Sequence, residues 1–185
     1  TNLAGDEQAD LINHGGADKA ICVYPQEHYP FWKEKLNLDF APGDFGENLT
    51  TQDVMECDVC IGDIFRIGTA TVQVSQPRQP CWKLAKRWDV KKLPLHVQET
   101  GRTGWYFRVL EEGDISAGAE LELIERPNTE WSVAQANEIM HHNKKDWAAA
   151  GELANCYTLA ESWRVTLRNR SEKQSIEDTS KRLQG

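Results

Sequence analysis

Residues 75–84 read SQPRQPCWKL, and the chemistry available to that stretch centres on Cys81. Pro77 and Pro80 fix their own φ angles, restrict Gln76 and Gln79 ahead of them, and remove two backbone donors. Arg78 and Lys83 flank the thiol, with Lys86 and Arg87 just beyond. Nearby cations favour thiolate over thiol. A thiolate is either a nucleophile or a soft metal ligand. A buried structural cysteine in a proline-rich turn is the competing reading, but rigidity and charge together favour a functional sulfur.

Other constellations are weaker. In HGGADKA, Gly15 and Gly16 permit close backbone approach to a ligand, and Lys19 is a point charge suited to phosphate. In GDFGENLT, Gly43 and Gly46 shape a loop that presents Glu47 and Asn48, although a plain turn explains it equally well. The C-x-x-C of Cys57 and Cys60 suggests a redox pair or half a zinc site. It leads into a strand, where residues three apart face opposite ways, and no second pair or nearby histidine completes a site. Two separate structural thiols are expected. His141 and His142 are adjacent at a helix end and do not share a face, so a joint metal site is not expected.

Several short elements must position Cys81. From 59 to 124 the chain reads mainly as β. A hairpin turns at Gly68-Thr69, further strands are separated by turns at Gly113-Asp114 and Ala117-Gly118, and alternation runs through ELELIE. EHYPFWKEKL reads as a short helix or turn, and DVKKLPLHVQETG as a broken helix ended by Gly101. Many short strands with interspersed helices suggest a closed or nearly closed barrel. After Pro127 the pattern becomes helical. Ser132 with Gln135 forms a capping box, Asn143 and Asp146 start a second helix, and Thr158 with Glu161 caps a third. The domain boundary is placed at 127–130: a barrel over 1–127 and a three-helix domain over 131–185.

The 185 residues, 39% hydrophobic and 27% charged, suffice for a real core. A net charge of −8 argues against wrapping nucleic acid, so the basic cluster around Cys81 stands out. No run is long enough for a membrane span. Five cysteines and no apolar leader suggest reduced thiols in the cytoplasm. The opening TNLAGDEQAD reads like the interior of a longer chain.

Taken in order, GDEQAD, HGGADKA, GENLT, GDIFRIG, VSQPRQPCWKL and ETGRTGWYFRVL resemble the MOSC domain, named after the C-terminal domain of molybdenum-cofactor sulfurases. The resemblance is to the YiiM-type branch, in which a MOSC β-barrel precedes a small three-helix domain. It implies that Cys81 ligates molybdenum through sulfur, the metal arriving on a pyranopterin dithiolene that bears a phosphate. It also suggests Lys19, Arg78, Arg102 and Arg108 as partners for that anion, and His14, Gln76 and Asn48 as hydrogen-bonding partners. A strand and loop are expected upstream of NLAGD.

Related enzymes reduce N-hydroxylated purines and amidoximes, so the resemblance implies a detoxifying molybdenum-dependent reductase, with Asp6 or Glu47 relaying protons. The alternatives are a sulfur carrier using a Cys81 persulfide and a cofactor-binding module without turnover. The chain shows neither a four-cysteine iron–sulfur spacing nor a dinucleotide fingerprint, so a separate reductase is expected to deliver electrons. The helical segment, with Arg164, Arg168 and Arg170, is either its docking platform or a cover for the barrel. A monomer or homodimer is expected.

Overall fold

The computed structural model describes residues 15–184. Its centre is a six-stranded sheet built from the alternating segments. The hairpin at Gly68 forms: β3 (Ile64–Ile67) and β4 (Ala70–Pro77) pair antiparallel with Ile67 opposite Ala70, and Gly68 takes φ 60° in the turn. β5 (Trp105–Glu111) lies on the other side of β4, with register shifts at Thr71/Val72 and Val74/Gln76. β1 (Ile21–Pro25) pairs antiparallel with β5, and β2 (Leu49–Thr51) runs parallel to β1. β6 (Leu121–Glu125) pairs with β3. The order β2-β1-β5-β4-β3-β6 curls into a half-barrel, with β2 and β6 at its edges among the described residues.

Two apolar clusters sit on this sheet. The larger joins inward-facing Val23, Phe65, Val72, Val74 and Phe107 to residues from the C-terminal helices, including Trp163 and Leu167. The smaller gathers Tyr24, Tyr29, Trp32, Phe45, Leu84, Leu93 and Val97. Three helices contribute to it: α1 (His28–Leu36), α2 (Trp82–Trp88) and α3 (Leu93–Thr100). α1 and α3 were legible, and α3 ends at Gly101 in the left-handed region. α2 was not: it begins directly after Cys81 and closes at Asp89, φ 53°.

The C-terminal helices follow their caps, with one correction. Ser132 and Gln135 make both bonds of the capping box for α4 (Val133–Asn137), which continues as a π-helical turn over Glu138–His142. Asp146 caps α5 (Trp147–Ala154) by accepting from the Ala149 amide. α6 (Glu161–Lys173), however, starts from Ala160 and has no side-chain cap. The Thr158 hydroxyl instead meets Asn128 Nδ2 at 3.0 Å and the Cys156 sulfur at 3.3 Å, and the Ala160 amide donates to Ser75 O. Tertiary bonds thus claim the groups a capping box would have used. A short α7 (Ser180–Gln184) follows. No helix among the described residues is long and apolar enough to cross a membrane.

The helical segment is bonded into the barrel. Ile61 donates to Trp131 O and Val133 to Val59 O, both at 2.8 Å, either side of a Cys60–Ser132 bridge. Fully buried Asp63 accepts from Arg126 Nε at 2.9 Å and Nη2 at 2.7 Å, and from the Cys60 amide at 2.8 Å. Arg170, expected on a docking face, is buried at 1% exposure and donates to the Ile139 and Met140 carbonyls. Its guanidinium satisfies carbonyls at the π-turn, where helical bonding is irregular.

Two outcomes follow from this packing. Gly104, at φ 67°, passes so close to the Val23 carbonyl that any Cβ collides with it. Gly104→Ala is expected to lower unfolding free energy by about 2 kcal/mol or more in a denaturant titration. His141 packs edge-on to Trp163, and burial foremost, then the charge of Arg182, pushes its pKa down to about 2. The native state therefore holds it neutral while the unfolded chain protonates below its ordinary value. Stability contributed by this group is complete above pH 6.5 and is lost as pH falls towards 2. His141→Phe should reduce the acid-side slope of stability against pH by about one proton, ~1.4 kcal/mol per pH unit.

Candidate active site

The site is built where β4 runs out. Pro77 ends the strand, and Arg78 donates its amide to Gly104 O at 3.1 Å, which extends the β4–β5 pairing by one step. Pro80 then leads to Cys81, whose extended backbone (φ −128°, ψ 169°) forms the N-cap of α2. The Cys81 thiol is half-buried, whereas Cys22, Cys60 and Cys156 are buried and Cys57 is exposed.

Arg78 turns inward beneath it. Its Nη2 donates to Phe45 O at 2.5 Å, while Nη1 is buried with no hydrogen-bond partner among the described residues. The groups that feel its charge most are Cys22, Tyr106, Tyr24 and Cys81, and none of them is a carboxylate. Burial pushes the Cys22 thiol up, with Arg78 pulling the other way, and burial likewise raises the Tyr106 phenol. A cation with an orphaned donor, set among thiols and phenols, is arranged to receive an anion.

The 43–47 loop forms the adjoining wall. Glu47 is 9% exposed and accepts from the Gly43 amide at 2.8 Å, the Phe45 amide at 3.1 Å, the Thr50 hydroxyl at 3.1 Å and the Tyr29 hydroxyl. Both of its oxygens are engaged in closing the loop, so its place is that of an internal tie. Asp44 fastens the same loop to α2, through Arg87 Nη2 on its side chain and Trp88 Nε1 on its carbonyl, both at 3.0 Å. Asn48 bonds Cys22 twice, its Oδ1 accepting from the amide and its own amide donating to the carbonyl, each at 2.8 Å. Gln76 is 1% exposed and accepts from the Ser162 hydroxyl at 3.4 Å.

The four cations expected around one anion do not all gather there: Arg102 and Arg108 are engaged elsewhere. Lys19 closes a 3₁₀ turn, Ala17–Lys19. Arg108 is spent on structure, pairing with Asp18 at 2.9 Å and donating to Gln73 Oε1 at 3.2 Å and Thr158 O at 3.0 Å. Four residues of strand, about 13 Å, separate it from Gly104 opposite Arg78. Arg102 lies 3.9 Å over the Phe31 ring and lines a different cavity of about 390 Å³, with His28, Glu56, Asn137 and His142. Asp6 and His14 lie outside the described residues.

One residue with no sequence signal arrives instead. Arg182 of α7 donates to Pro80 O at 2.5 Å and to Gln98 Oε1 at 2.6 Å, one residue from Cys81. The run SKRLQ carries no motif, and 102 positions separate Arg182 from Pro80. Cys57 and Cys60 sit apart, one exposed and one buried. No group of three or more His, Cys, Asp or Glu side chains among the described residues could hold a metal ion.

A curled half-barrel with a rigid cysteine at its rim and a bonded helical segment defines a class, and sequence comparison agrees. The chain belongs to the MOSC domain family, which it matches over residues 10–122, and it matches the YiiM-like, 3-alpha helix domain over residues 131–174. It is 54% identical to YflK of Bacillus subtilis over 93% of this chain and 78% of that one. It is 43% identical to protein YiiM of Escherichia coli, over 99% of this chain and 83% of the relative. The crystal structure of that YiiM superposes with a TM-score of 0.86, at 41% identity over 92% of this chain and 86% of the other. A protein of Gibberella moniliformis named Reductase is 38% identical over 76% of this chain but only 26% of its own length.

The exposure pattern has a direct chemical readout. Iodoacetamide at neutral pH should alkylate Cys81 and Cys57 in the native protein, Cys57 more slowly because partial burial and Asp58 raise its thiol. Cys22, Cys60 and Cys156 should react at least about tenfold more slowly until denaturant is added. Peptide mass spectrometry checks this, and a Cys81 as protected as Cys22 would contradict an accessible site.

Proposed function

We propose that the protein is a molybdenum-cofactor-dependent reductase of N-hydroxylated compounds, including N-hydroxylated purines and amidoximes. The observation that carries this reading is the half-buried Cys81 thiol beside Arg78, a guanidinium that has, among the described residues, a buried, unpartnered Nη1 and no carboxylate counter-ion. MOSC membership and the Reductase relative support it.

The residues fit such a group. A pyranopterin cofactor is anionic and brings its own sulfur ligands, so the protein need contribute one soft ligand and a cationic seat. Cys81 would be that ligand, and Arg78 the seat, with Lys19 a second cation. When bound, the cofactor supplies the two-electron couple that breaks an N–O bond. The overall change is balanced: N–OH, two electrons and two protons give N–H and water. Prolines 77 and 80 fix the backbone approach to the sulfur, so docking a metal orders little further chain. The Glu47-tied loop and α2 hold the wall against which substrate is oriented. Protons enter from water on the open side of Cys81.

Electrons come from a separate reductase protein. With Arg170 buried and Trp163 and Leu167 in the shared core, the helical segment first of all covers the barrel. The exposed Arg168 face is what remains for docking. Sulfur transfer through a Cys81 persulfide uses the same thiol but predicts no reduction.

The test is Cys81→Ser in protein made by a host that synthesises the cofactor. The serine oxygen is a harder and far less acidic ligand. Molybdenum content by elemental mass spectrometry should fall at least about tenfold. Turnover of an amidoxime with an artificial electron donor should disappear, and the melting temperature should stay within a few degrees. Full molybdenum content and turnover in the serine variant would overturn the reading. Wild-type protein that carries molybdenum yet reduces no N-hydroxylated substrate would leave a binding module.

A further inference from the structure

The C-terminal segment ends against the candidate site, and the way it is held suggests a task beyond covering the barrel. Arg170 is buried on α6 and grips Glu177 with two bonds, Nε to Oε2 at 3.1 Å and Nη2 to Oε1 at 2.5 Å. That pair fixes the chain just after α6 and consumes the Glu177 carboxylate. α7 follows three residues later and packs on α2, the helix that Cys81 opens. Arg182 then reaches over to the Pro80 carbonyl and to Gln98, a buried residue of α3.

Both of Arg182's bonds go to neutral acceptors. It forms no ion pair with a carboxylate among the described residues; removal from solvent disfavours its charged form, and Cys81 and then Glu177, itself held by Arg170, oppose that effect. A partly desolvated guanidinium whose donors meet only neutral acceptors is costly unless an anion arrives. Arg78 presents the same situation from the β4 side. Two guanidiniums from distant parts of the chain therefore meet at the Cys81 turn, and neither forms an ion pair with a carboxylate among the described residues.

We infer that α7 is part of the Cys81 site, and that Arg182, latched by the Arg170–Glu177 pair, is a positioning residue that presents its charge to an anionic group docking beside Cys81. The anionic cofactor rests on the function proposed above; the pair of cations at the Cys81 turn does not. Cofactor retention then depends on the C-terminal tail, and loosening the latch weakens the site from a distance.

The experiment uses the full-length protein without cofactor and measures the alkylation rate of Cys81 by iodoacetamide at pH 7, with Cys57 as internal reference. Inorganic phosphate is the probe anion. In the wild type, millimolar phosphate is expected to slow alkylation of Cys81 but not of Cys57. Arg182→Ala should abolish phosphate protection of Cys81. Arg182→Lys should restore much of it, since it returns the charge without the bidentate fork. Glu177→Gln should give an intermediate loss. Purely structural loosening of α7 would instead expose Cys81 and speed its reaction, with no rescue by lysine. That result, or phosphate protection unchanged in Arg182→Ala, overturns the inference. These readouts involve no molybdenum. If they fail while Cys81→Ser still loses the metal, only the role of Arg182 falls; if they succeed while Cys81→Ser keeps metal and turnover, only the reductase reading falls.

Discussion

The Arg78 guanidinium is the constraint around which the rest of the site is arranged. Its amide continues the β4–β5 pairing through Gly104, and its Nη2 holds the Phe45 carbonyl. Phe45 in turn stacks on Tyr24 at 4.5 Å, inside the smaller apolar cluster. One side chain thus joins the end of a strand, the 43–47 loop and the packing beneath Cys81. A buried cation is tolerated only if it is bonded or meets an anion. Here it is bonded at one nitrogen and left unpartnered at the other, amid thiols and phenols. Structure alone leaves that charge half answered, which is why the site reads as a receptor for negative charge.

The same economy explains the surrounding ties. Gly104 serves three neighbours at once: it accepts from Arg78, donates to Glu56 Oε1 at 2.7 Å, and lets the Val23 carbonyl pass. Glu56 also holds His28 Nε2 at 2.9 Å, which anchors the first turn of α1 to the loop before β3. Glu47 closes its own loop with backbone amides. Buried carboxylates in this fold are thus used as knots for loops that lack regular hydrogen bonding. Among the described residues none of these knots bonds to Arg78, whose charge is felt by the Cys22 and Cys81 sulfurs and the Tyr24 and Tyr106 phenols.

The helical segment and the half-barrel share one core. The Cys60–Ser132 bridge, the Asp63–Arg126 pair and the Ser75–Ala160 bond cross between them, and Trp163 and Leu167 fill the same cluster as Phe65 and Val74. The C-terminal tail is carried back to α2 as a consequence. The helical segment is bonded against the half-barrel, and its tail reaches the turn that carries Cys81.

Much of this was determined by local sequence. The hairpin at Gly68, the stop at Gly101, the Ser132–Gln135 box and the Asp146 cap each follow from residues within a few positions of one another, where turn chemistry and capping act. Cys81 was legible for the same reason, since two prolines and two cations within seven residues leave few conformations and a positive field. Whatever needed a distant partner was not legible. Thr158 had the spacing of a cap, but Asn128 and Ser75, remote in sequence, claimed the groups involved. Arg102 and Arg108 had the charge for an anion site, yet strand geometry set them apart and gave them Phe31 and Asp18 instead. Arg182 had no signal at all, because its position depends on the Arg170–Glu177 pair and on the packing of α7 against α2. Local rules choose the elements, and only closure of the core decides which charges meet, because that depends on burial and on partners a hundred residues away.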